Sequence, residues 1–319
     1  MPPASFSSSG FGATMGLADR RQPGQLKREP SARRRLLSRQ RAEGSQKSGR
    51  KINRGSFIMR SLLVLALAVT FVAAMAGSSK PKEYVCYRAA GKIVIDGKLD
   101  EPSWRDAPAT DKFVDIEGDI RPHPRFTTRA KMLWDDQYFY IGADLEEPHV
   151  WATLTKRDSV IFHDNDFEVF IDPNGDRDEY YELEINALNT AWDLFLPKPY
   201  IDGGKAQNSW DIAGLKTAVE VTGTLNDTTD LDKGWSVEMA IPWKALAEYA
   251  HKPAPPKDGD QWRINFSRVE WRHEIVDGKY SKISNTKEDN WVWSPQGVID
   301  MHRPEMWGYV RFSTIVNLR

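Results

Sequence analysis

The stretch FEVFIDPNGDRDEYYELEINALNTAWD, Phe167–Asp193, decides the fold class of this chain. Apolar and acidic residues alternate in Phe167–Asp172, which is the period-two pattern of a strand with one buried face. A turn rich in Asp, Asn and Gly follows, and a second alternating run comes after it. The stretch therefore predicts a β-hairpin on which Glu168, Glu184 and Asn186 point the same way.

Short strand patterns continue along most of the chain. From Lys92 onward they are separated by turns, which is typical of an all-β protein. One short helix is predicted over Trp243–Tyr249, because Pro242 suits the first turn of a helix. We predict an antiparallel β-sandwich, jelly-roll-like, with this one helix. Beyond the hairpin, the predicted strands are Ile93–Ile95, Thr128–Trp134, Tyr138–Leu145, Ala191–Leu196, Leu215–Val221, Trp235–Ile241, Gln261–Trp271 and Trp307–Phe312.

The N-terminal part differs from the rest in composition. Residues 1–58 carry 13 Lys or Arg and three acidic residues, with little apolar periodicity. Such a segment cannot bury a core, so we interpret it as a disordered extension or an incorrectly assigned start before Met59. Residues 77–90 are expected to form a linker or edge segment, and residues 91–313 the sandwich.

Residues 59–76 are predicted to be a signal peptide. The apolar run LLVLALAVTFVAAMA has the length of a signal-peptide core, and Ala74–Ala76 form an A-x-A cleavage site. The run is short for a membrane span, and Gly77 follows the cleavage site where lipidation would need a Cys. We therefore expect export to the periplasm or outside the cell, with no stable membrane span after cleavage.

Composition excludes several function classes. From Gly77 onward the chain has 30 basic and 42 acidic residues, a net charge of −12, which argues against a nucleic-acid partner. Cys86 is the one cysteine, so no internal disulfide can form. The chain has no H-E-x-x-H, G-x-S-x-G, Walker or Rossmann glycine pattern. The common enzyme signatures are thus absent, and no cofactor is required.

A series of motifs spans residues 91–313. It includes VIDGKLDE at Val94–Glu101, DFEVFID at Asp166–Asp172, GWSVEMAIPW at Gly234–Trp243 and HRPEMWG at His302–Gly308. In order and spacing these motifs resemble the family 9 carbohydrate-binding modules, a group of β-sandwich domains. The resemblance implies a non-catalytic domain that binds mono-, oligo- or polysaccharides and accompanies glycoside hydrolases.

The resemblance also implies sugar-binding residues. The family's ligand-bonding glutamate corresponds to Glu168, and its asparagine on the following strand corresponds to Asn186. Glu184 stands where the best-known members have an arginine. Phe162 is nearest to the aromatic expected before the Glu168 strand, and Trp293 substitutes for the second stacking tryptophan.

Further sugar contacts are predicted from residue type. Sugars are bound by flat aromatic faces and by charged or amide groups that form directional hydrogen bonds. Trp192, Trp210 and Trp293 lie in polar segments, so they are candidate stacking platforms, although core packing explains them equally well. Arg268 is a candidate partner of Glu168, and His302 is either a site residue or a hydrogen-bonded structural histidine.

The turn of the hairpin is a candidate calcium site. Its Asp and Asn residues alternate, and hard oxygen ligands at this spacing can hold Ca²⁺. It departs from an EF-hand in the position of its glycine and of its last acid, so a solvated turn is the competing interpretation. The candidate ligands are Asp172, Asn174, Asp176 and Asp178.

Three functions are compatible with these patterns. The first is an exported, non-catalytic sugar-binding domain that serves polysaccharide breakdown. The second is a glycoside hydrolase in which Glu168 and Glu184 form an acid and base pair. The third is an envelope interaction domain that has lost its sugar site. They are distinguished by whether Trp192, Trp210 and Trp293 converge with Glu168 in one exposed cleft.

Overall fold

Strands dominate residues 80–317, the part of the chain that the computed structural model describes. The predicted N-terminal extension and signal peptide lie outside these residues. Two short helices are present, α1 (Pro102–Asp106) and α2 (Trp243–Leu246), and no helix among the described residues is long and apolar enough to cross a membrane. The strands are β1 (Glu83–Arg88), β2 (Val114–Asp115), β3 (Thr128–Trp134), β4 (Tyr138–Glu146), β5 (Asp166–Asp172), β6 (Tyr180–Asn186), β7 (Ala191–Leu196), β8 (Lys216–Thr222), β9 (Gly234–Pro242), β10 (Gln261–Glu270), β11 (His273–Val276), β12 (Lys279–Lys282), β13 (Asp289–Val292) and β14 (Gly308–Val316).

Most of these strands belong to one curled sheet. Its order is β7-β6-β5-β10-β14-β1-β3-β4-β9-β8, and β13 joins β10 to β2 at one side. The strands β11 and β12 form a separate hairpin. The predicted all-β sandwich is confirmed. The sheet is mixed rather than purely antiparallel, because β1 runs parallel to both β14 and β3.

The inner faces of the sheet enclose a continuous core. Phe167, Val169 and Ile171 of β5 point into it, as their alternation predicts, and Val237 and Met239 of β9 enter it from the other half of the sheet. Burying a side chain of this kind contributes about 1.5–3 kcal/mol. The alternating pattern therefore determines which face of each strand turns inward and which is left for a site.

The strand β1 lies in the interior of the sheet, although its residues were expected in a linker or edge segment. It pairs with β14 along its length and with β3 at its end. Cys86 is fully buried in the core, and so is most of Tyr84. The hydroxyl of Tyr84 donates to the carbonyl of Pro108 at 2.6 Å and accepts from the amide of Met132 at 3.0 Å.

The predicted strand Ile93–Ile95 is not formed. The backbone that follows it is bound by a side chain instead of a neighbouring strand, because the amides of Asp96 and Gly97 donate to Glu238 Oε2 at 2.9 and 2.8 Å. The other carboxylate oxygen of Glu238 accepts from Trp104 Nε1 at 2.7 Å. Gly97 has φ of +90°, and a Cβ there would lie 2.6 Å from the backbone of β8, so only glycine fits.

Candidate functional site

The outward face of β10, β5, β6 and β7 carries a row of polar side chains. The register places Ser267 opposite Glu168, Glu168 opposite Glu184, and Glu184 opposite Trp192. Because side chains alternate between the faces of a strand, all four leave the sheet on the side away from the core. The hairpin prediction is confirmed in this respect, since Glu168 and Glu184 share one face. Asn186 follows on the same face, opposite Asp166.

This row forms part of the floor of a cleft of about 470 Å³. Its walls come from segments between the strands. They include two 3₁₀ turns, Ile161–His163 and Tyr200–Asp202, and the loop that precedes a third 3₁₀ turn, Pro304–Met306. Ile299 is 62% exposed and Tyr200 is 46% exposed, so both form the rim. The described residues that line the cleft are Ile116, Phe162, Glu168, Phe170, Glu182, Glu184, Trp192, Leu194, Tyr200, Val269, Glu288, Asn290, Ile299, Asp300, Met301 and His302.

Aromatic rings form one side of the cleft. Phe162 and Trp192 have ring centroids 6.4 Å apart and planes inclined by 30°. The indole Nε1 of Trp192 is buried and has no hydrogen-bond partner among the described residues. An apolar face next to an unsatisfied N–H donor is the combination that a sugar ring with its hydroxyls can satisfy.

His302 is a neutral hydrogen-bonding group of the cleft. Its Nδ1 lies 2.9 Å from the hydroxyl of Tyr180, and its ring packs edge-on against Tyr200, with centroids 4.4 Å apart and planes inclined by 76°. Burial lowers the pKa of His302 to about 4. The imidazole is therefore uncharged at neutral pH, where it contributes a polar contact and no charge to the cleft.

Four buried carboxyl groups lie beneath the cleft. Asp166, Glu168, Glu182 and Glu184 are each at most 5% exposed. Burial raises the pKa of Glu168 to about 7. The pKa values of the other three are also raised, first by burial and then by the charge of Glu168. Asp166 Oδ2 and Glu182 Oε2 have no partner in the described part of the chain, so the acidic floor is short of donors.

Asn186 lies outside the residues that line the cleft. Its Nδ2 donates to the carbonyl of Leu154 at 2.8 Å and to Asp164 at 3.0 Å. Its Oδ1 accepts from the amides of Leu188 and Thr190 at 3.1 and 3.0 Å. The side chain is thus occupied in holding the turn after β6.

Arg268 faces the opposite side of the sheet from Glu168, and the predicted pairing of the two is wrong. Its guanidinium contacts Glu147 at 2.8 Å and Glu270 at 2.9 Å, and all three side chains are buried. The register of β10 and β5 explains the difference, because Ser267 rather than Arg268 stands opposite Glu168.

Of the three candidate tryptophans, Trp192 alone lines the cleft. Trp293 is buried in the core, where its ring meets Tyr84 edge-on at 6.3 Å. Trp210 packs against Tyr181 at 4.9 Å on the core side of the hairpin. The predicted residues that meet in one place are therefore Phe162, Glu168, Glu184, Trp192 and His302.

Sequence reasoning missed Glu182, Tyr200 and Glu288 as cleft residues. Glu182 had a usable signal, since it lies two residues before Glu184 and shares its face. Tyr200 lies in a 3₁₀ turn and Glu288 in a loop, and no local pattern indicates which strand such a segment will cover.

The candidate calcium turn is closed by its own hydrogen bonds. The carboxylate of Asp172 accepts from the amides of Gly175 and Arg177 at 2.7 and 3.0 Å. Asp176 accepts from Asn174 Nδ2 at 2.7 Å and from the amide of Asp178 at 3.0 Å. These contacts describe an Asx-type turn, and calcium binding here stays a prediction.

The comparison with protein families agrees with this architecture. The family described as "Carbohydrate family 9 binding domain-like" matches residues 95–310. The chain belongs to this family. The match includes all of the sheet except β1 and Arg311–Val316 of β14, and it includes every residue of the cleft.

Curated relatives of this family 9-like domain are much longer proteins. "Exoglucanase XynX" of Acetivibrio thermocellus is 31% identical over 170 residues, which are 53% of this chain and 13% of the relative. "Endo-1,4-beta-xylanase A" of Thermoanaerobacterium saccharolyticum is 29% identical over 156 residues, which are 49% of this chain and 11% of the relative. The chain thus spans only a small part of the relatives that it matches.

Two solved structures are similar to this chain over 73% of its length. A putative carbohydrate-binding protein from Bacteroides uniformis has a TM-score of 0.53 at 16% identity, covering 73% of this chain and 99% of that one. A family 9 carbohydrate-binding module from Caldicellulosiruptor kristjanssonii, solved with cellotriose, has a TM-score of 0.47 at 16% identity and covers 73% and 95% of the two chains. At this identity the likeness concerns the fold alone.

Proposed function

We propose that this protein is an exported, non-catalytic module that binds a saccharide in the cleft above β5, β6 and β7. The observation that carries the proposal is the convergence of Trp192, Phe162, Glu168 and Glu184 in one opening. Export is supported by the signal-peptide pattern of residues 59–76.

The cleft suits a sugar because some of its polar groups have no hydrogen-bond partner in the described part of the protein. Among residues 80–317, Trp192 Nε1 is a donor without an acceptor, and Glu182 Oε2 is an acceptor without a donor. A buried group left unpaired costs about 1–3 kcal/mol, so a ligand that satisfies it gains that amount. A sugar hydroxyl can both donate and accept, and the apolar face of the ring can lie against Trp192 or Phe162.

Binding is favoured over hydrolysis by the placement of the two glutamates. Glu168 and Glu184 are adjacent in one row of the sheet, and carboxylate oxygens of both belong to a group within 4.8 Å. A glycosidase needs its two carboxyl groups on either side of the scissile bond, about 5–9.5 Å apart. Glu168 and Glu184 lie side by side in the floor of the cleft and do not stand on opposite sides of it.

The relatives suggest where such a module acts. They are named as an exoglucanase and as xylanases, and this chain matches a small part of each. We propose that the protein serves the breakdown of plant-type polysaccharides beside glycoside hydrolases and contributes affinity for the polymer.

Titration calorimetry of the full chain with glucose, cellotriose and xylo-oligosaccharides tests the proposal, with affinity electrophoresis on soluble glucan and xylan as a second measurement. The Glu168→Gln variant should bind about tenfold or more weakly, as expected for the loss of a hydrogen bond to a charged group. Glu220→Gln, on the exposed edge strand β8, is the matched control and should bind like the wild type.

Absence of binding to every sugar at millimolar concentration would refute the proposal. Release of reducing sugar by the wild type and not by Glu168→Gln would instead support a hydrolase.

A further inference from the structure

Three of the buried acids form a compact group of oxygen atoms. Asp166, Glu168 and Glu184 each contribute one carboxylate oxygen, and these atoms all lie within 4.8 Å of one another. The three residues sit on the neighbouring strands β5 and β6 and are between 0% and 5% exposed. Their positions are set by the sheet rather than by a mobile loop.

The spacing fits the coordination sphere of a single ion. Calcium binds oxygen at about 2.3–2.6 Å, so two of its ligands can be at most about 5 Å apart. All pairs in the group satisfy this limit. Carboxylates are also the ligand type that hard divalent cations prefer.

Among residues 80–317 the group has no ion-pair partner, and Lys282 acts on Asp166 only from beyond ion-pair distance. Among the described residues, no Lys, Arg or His nitrogen lies within 4.0 Å of a carboxylate oxygen of Asp166, Glu168 or Glu184. The described lining of the cleft includes no lysine or arginine either. Buried carboxylates without a cation are costly, and proteins ordinarily pair them or bind a metal there.

A second acidic group of this chain shows the ordinary arrangement. Asp158, Asp193 and Asp211 also bring three oxygens within 4.8 Å of one another. Arg157 lies among them and forms ion pairs with all three. That group needs no external cation, whereas the group on β5 and β6 has the same spacing and no arginine.

Further unsatisfied side chains point to a missing ligand. Ser267 is fully buried and stands directly opposite Glu168 on the same face, so its hydroxyl lies beside the Glu168 carboxyl group. Asp166 Oδ2 and Glu182 Oε2 are buried and have no hydrogen-bond partner in the described part of the chain. A hydroxyl oxygen and additional carboxylate oxygens can complete the six to eight ligands that calcium takes.

We propose that Asp166, Glu168 and Glu184 hold a divalent metal ion of the calcium type at the floor of the cleft, with Ser267 and Glu182 as neighbouring oxygen donors. This site is separate from the hairpin turn Asp172–Asp178. An ion here would present its remaining coordination positions to the cleft, where sugar hydroxyls can occupy them.

Metal binding is measured on the full chain after removal of metals with EDTA. Calorimetric titration with CaCl₂ should give one saturable site. Terbium should give sensitised luminescence on excitation of tryptophan, because Trp192 stands next to Glu184 in the register. The variants Glu184→Gln and Asp166→Asn preserve shape and remove a ligand charge, and each should weaken Ca²⁺ binding at least about tenfold.

Asp176→Asn serves as the control that separates the two candidate sites. Asp176 lies in the hairpin turn, so this variant should keep the wild-type affinity for Ca²⁺. Loss of binding in Asp176→Asn with retention in Glu184→Gln would overturn the proposal.

Thermal unfolding provides a readout that does not depend on affinity for sugar. At the same Ca²⁺ concentration, calcium should raise the melting temperature of the wild type more than that of Glu184→Gln. Without metal, Glu184→Gln should melt no lower than the wild type, because it removes one buried like charge; this result also shows that the variant folds.

Two outcomes would reject the site. One is the absence of heat and of any melting-temperature shift with Ca²⁺, Mg²⁺ and Mn²⁺. The other is binding of an amino sugar such as glucosamine without binding of any metal. That result would show that the acidic residues of the cleft bind a positively charged sugar instead of a metal ion. Since the metal titrations contain no saccharide, they succeed or fail independently of the proposed function.

Discussion

Two buried tryptophans of this protein differ in whether their indole N–H has a partner. Trp104 Nε1 donates to Glu238 at 2.7 Å, whereas Trp192 Nε1 has no partner among the described residues. The first N–H contributes to stability of the free protein, and the second is available to a ligand. Replacing each tryptophan by phenylalanine removes the N–H and keeps an aromatic ring, so the two changes should have opposite effects.

Trp192→Phe should weaken sugar binding about fivefold to tenfold while leaving the melting temperature nearly unchanged, as expected for a hydrogen bond of about 1 kcal/mol made only in the complex. Calorimetric titration and thermal unfolding measure the two quantities. Trp104→Phe is the control and should lower stability with little effect on affinity, because Glu238 loses a donor. A Trp192→Phe protein that is unstable yet binds sugar normally would contradict the assignment.

His302 makes stability depend on pH. Its pKa is about 4 in the folded protein and about 6.5 in an unfolded chain, so folding favours the neutral ring. This contribution is complete above pH 6.5 and is lost as the pH falls towards 4. Relative to His302→Gln, the wild-type free energy of unfolding should fall by up to about 1.4 kcal/mol per pH unit across this window.

Chemical denaturation of both proteins at several pH values measures this difference. Between pH 7 and 8 the two curves should run parallel, because His302 is neutral in both states. Parallel curves between pH 6.5 and 4 as well would show that His302 does not carry the effect.

At the scale of single residues, alternation predicted the face of a side chain but not its neighbours. It placed Glu168 and Glu184 together, because cross-strand pairing follows from the hairpin itself. It could not identify the partners of Arg268, since Glu147 lies 121 residues away in sequence. Alternation also could not show that Trp192 lines the cleft and Trp293 lies in the core. Both tryptophans lie in polar segments, and only the fold determines which of them is buried in the core.

At the scale of elements, the ion pairs of Arg268 connect β10 to the end of β4. The guanidinium also donates to Thr128 Oγ1 at 3.1 Å and to the carbonyl of Glu146 at 2.9 Å, so one buried side chain contacts three segments. Arg268→Met should lower the free energy of unfolding by about 3–5 kcal/mol, because Glu147 and Glu270 would remain buried without a cation.

Urea denaturation measures this loss. Arg311→Met, on an exposed position of β14, is the matched control and should change stability by less than about 0.5 kcal/mol. Sugar affinity should be unaffected in both variants, because neither residue lines the cleft. A loss of sugar affinity in Arg268→Met without a loss of stability would show that Arg268 contributes to sugar binding.

Elements with strong alternation were predicted almost completely. Thr128–Trp134 and Ala191–Leu196 have the predicted bounds, and the first strand of the hairpin begins one residue earlier than predicted. The hairpin of β11 and β12 was missed because it buries little, with Ile275 and Val276 about half exposed. Its strands are formed by pairing with each other and not by a hydrophobic face that a sequence would reveal.

At the scale of the whole molecule, β1 joins the two halves of the sheet. Cys86 lies within this strand. The thiol is fully buried, and burial raises its pKa well above the usual value. Both properties suppress reaction with a thiol reagent. Cys86 should therefore react with a disulfide reagent such as DTNB only as fast as the sheet opens, and at once in concentrated urea.

The rate of thiol modification at increasing urea concentration measures this opening. It should rise in parallel with global unfolding followed by tryptophan fluorescence. Rapid modification in the absence of denaturant would show that β1 detaches from β14 and β3 while the rest of the sheet stays folded.

The parallel pairing of β1 with β14 also determines how the domain responds to force. Glu83 lies beside Tyr309 and Arg88 beside Val316, so the first and last strands run side by side in the same direction. Tension applied through the chain at the two strands pulls them in opposite directions along their length. The inter-strand hydrogen bonds are then loaded together in shear instead of opening one after another. A pull applied at both strands at once should therefore meet a high resistance to mechanical unfolding.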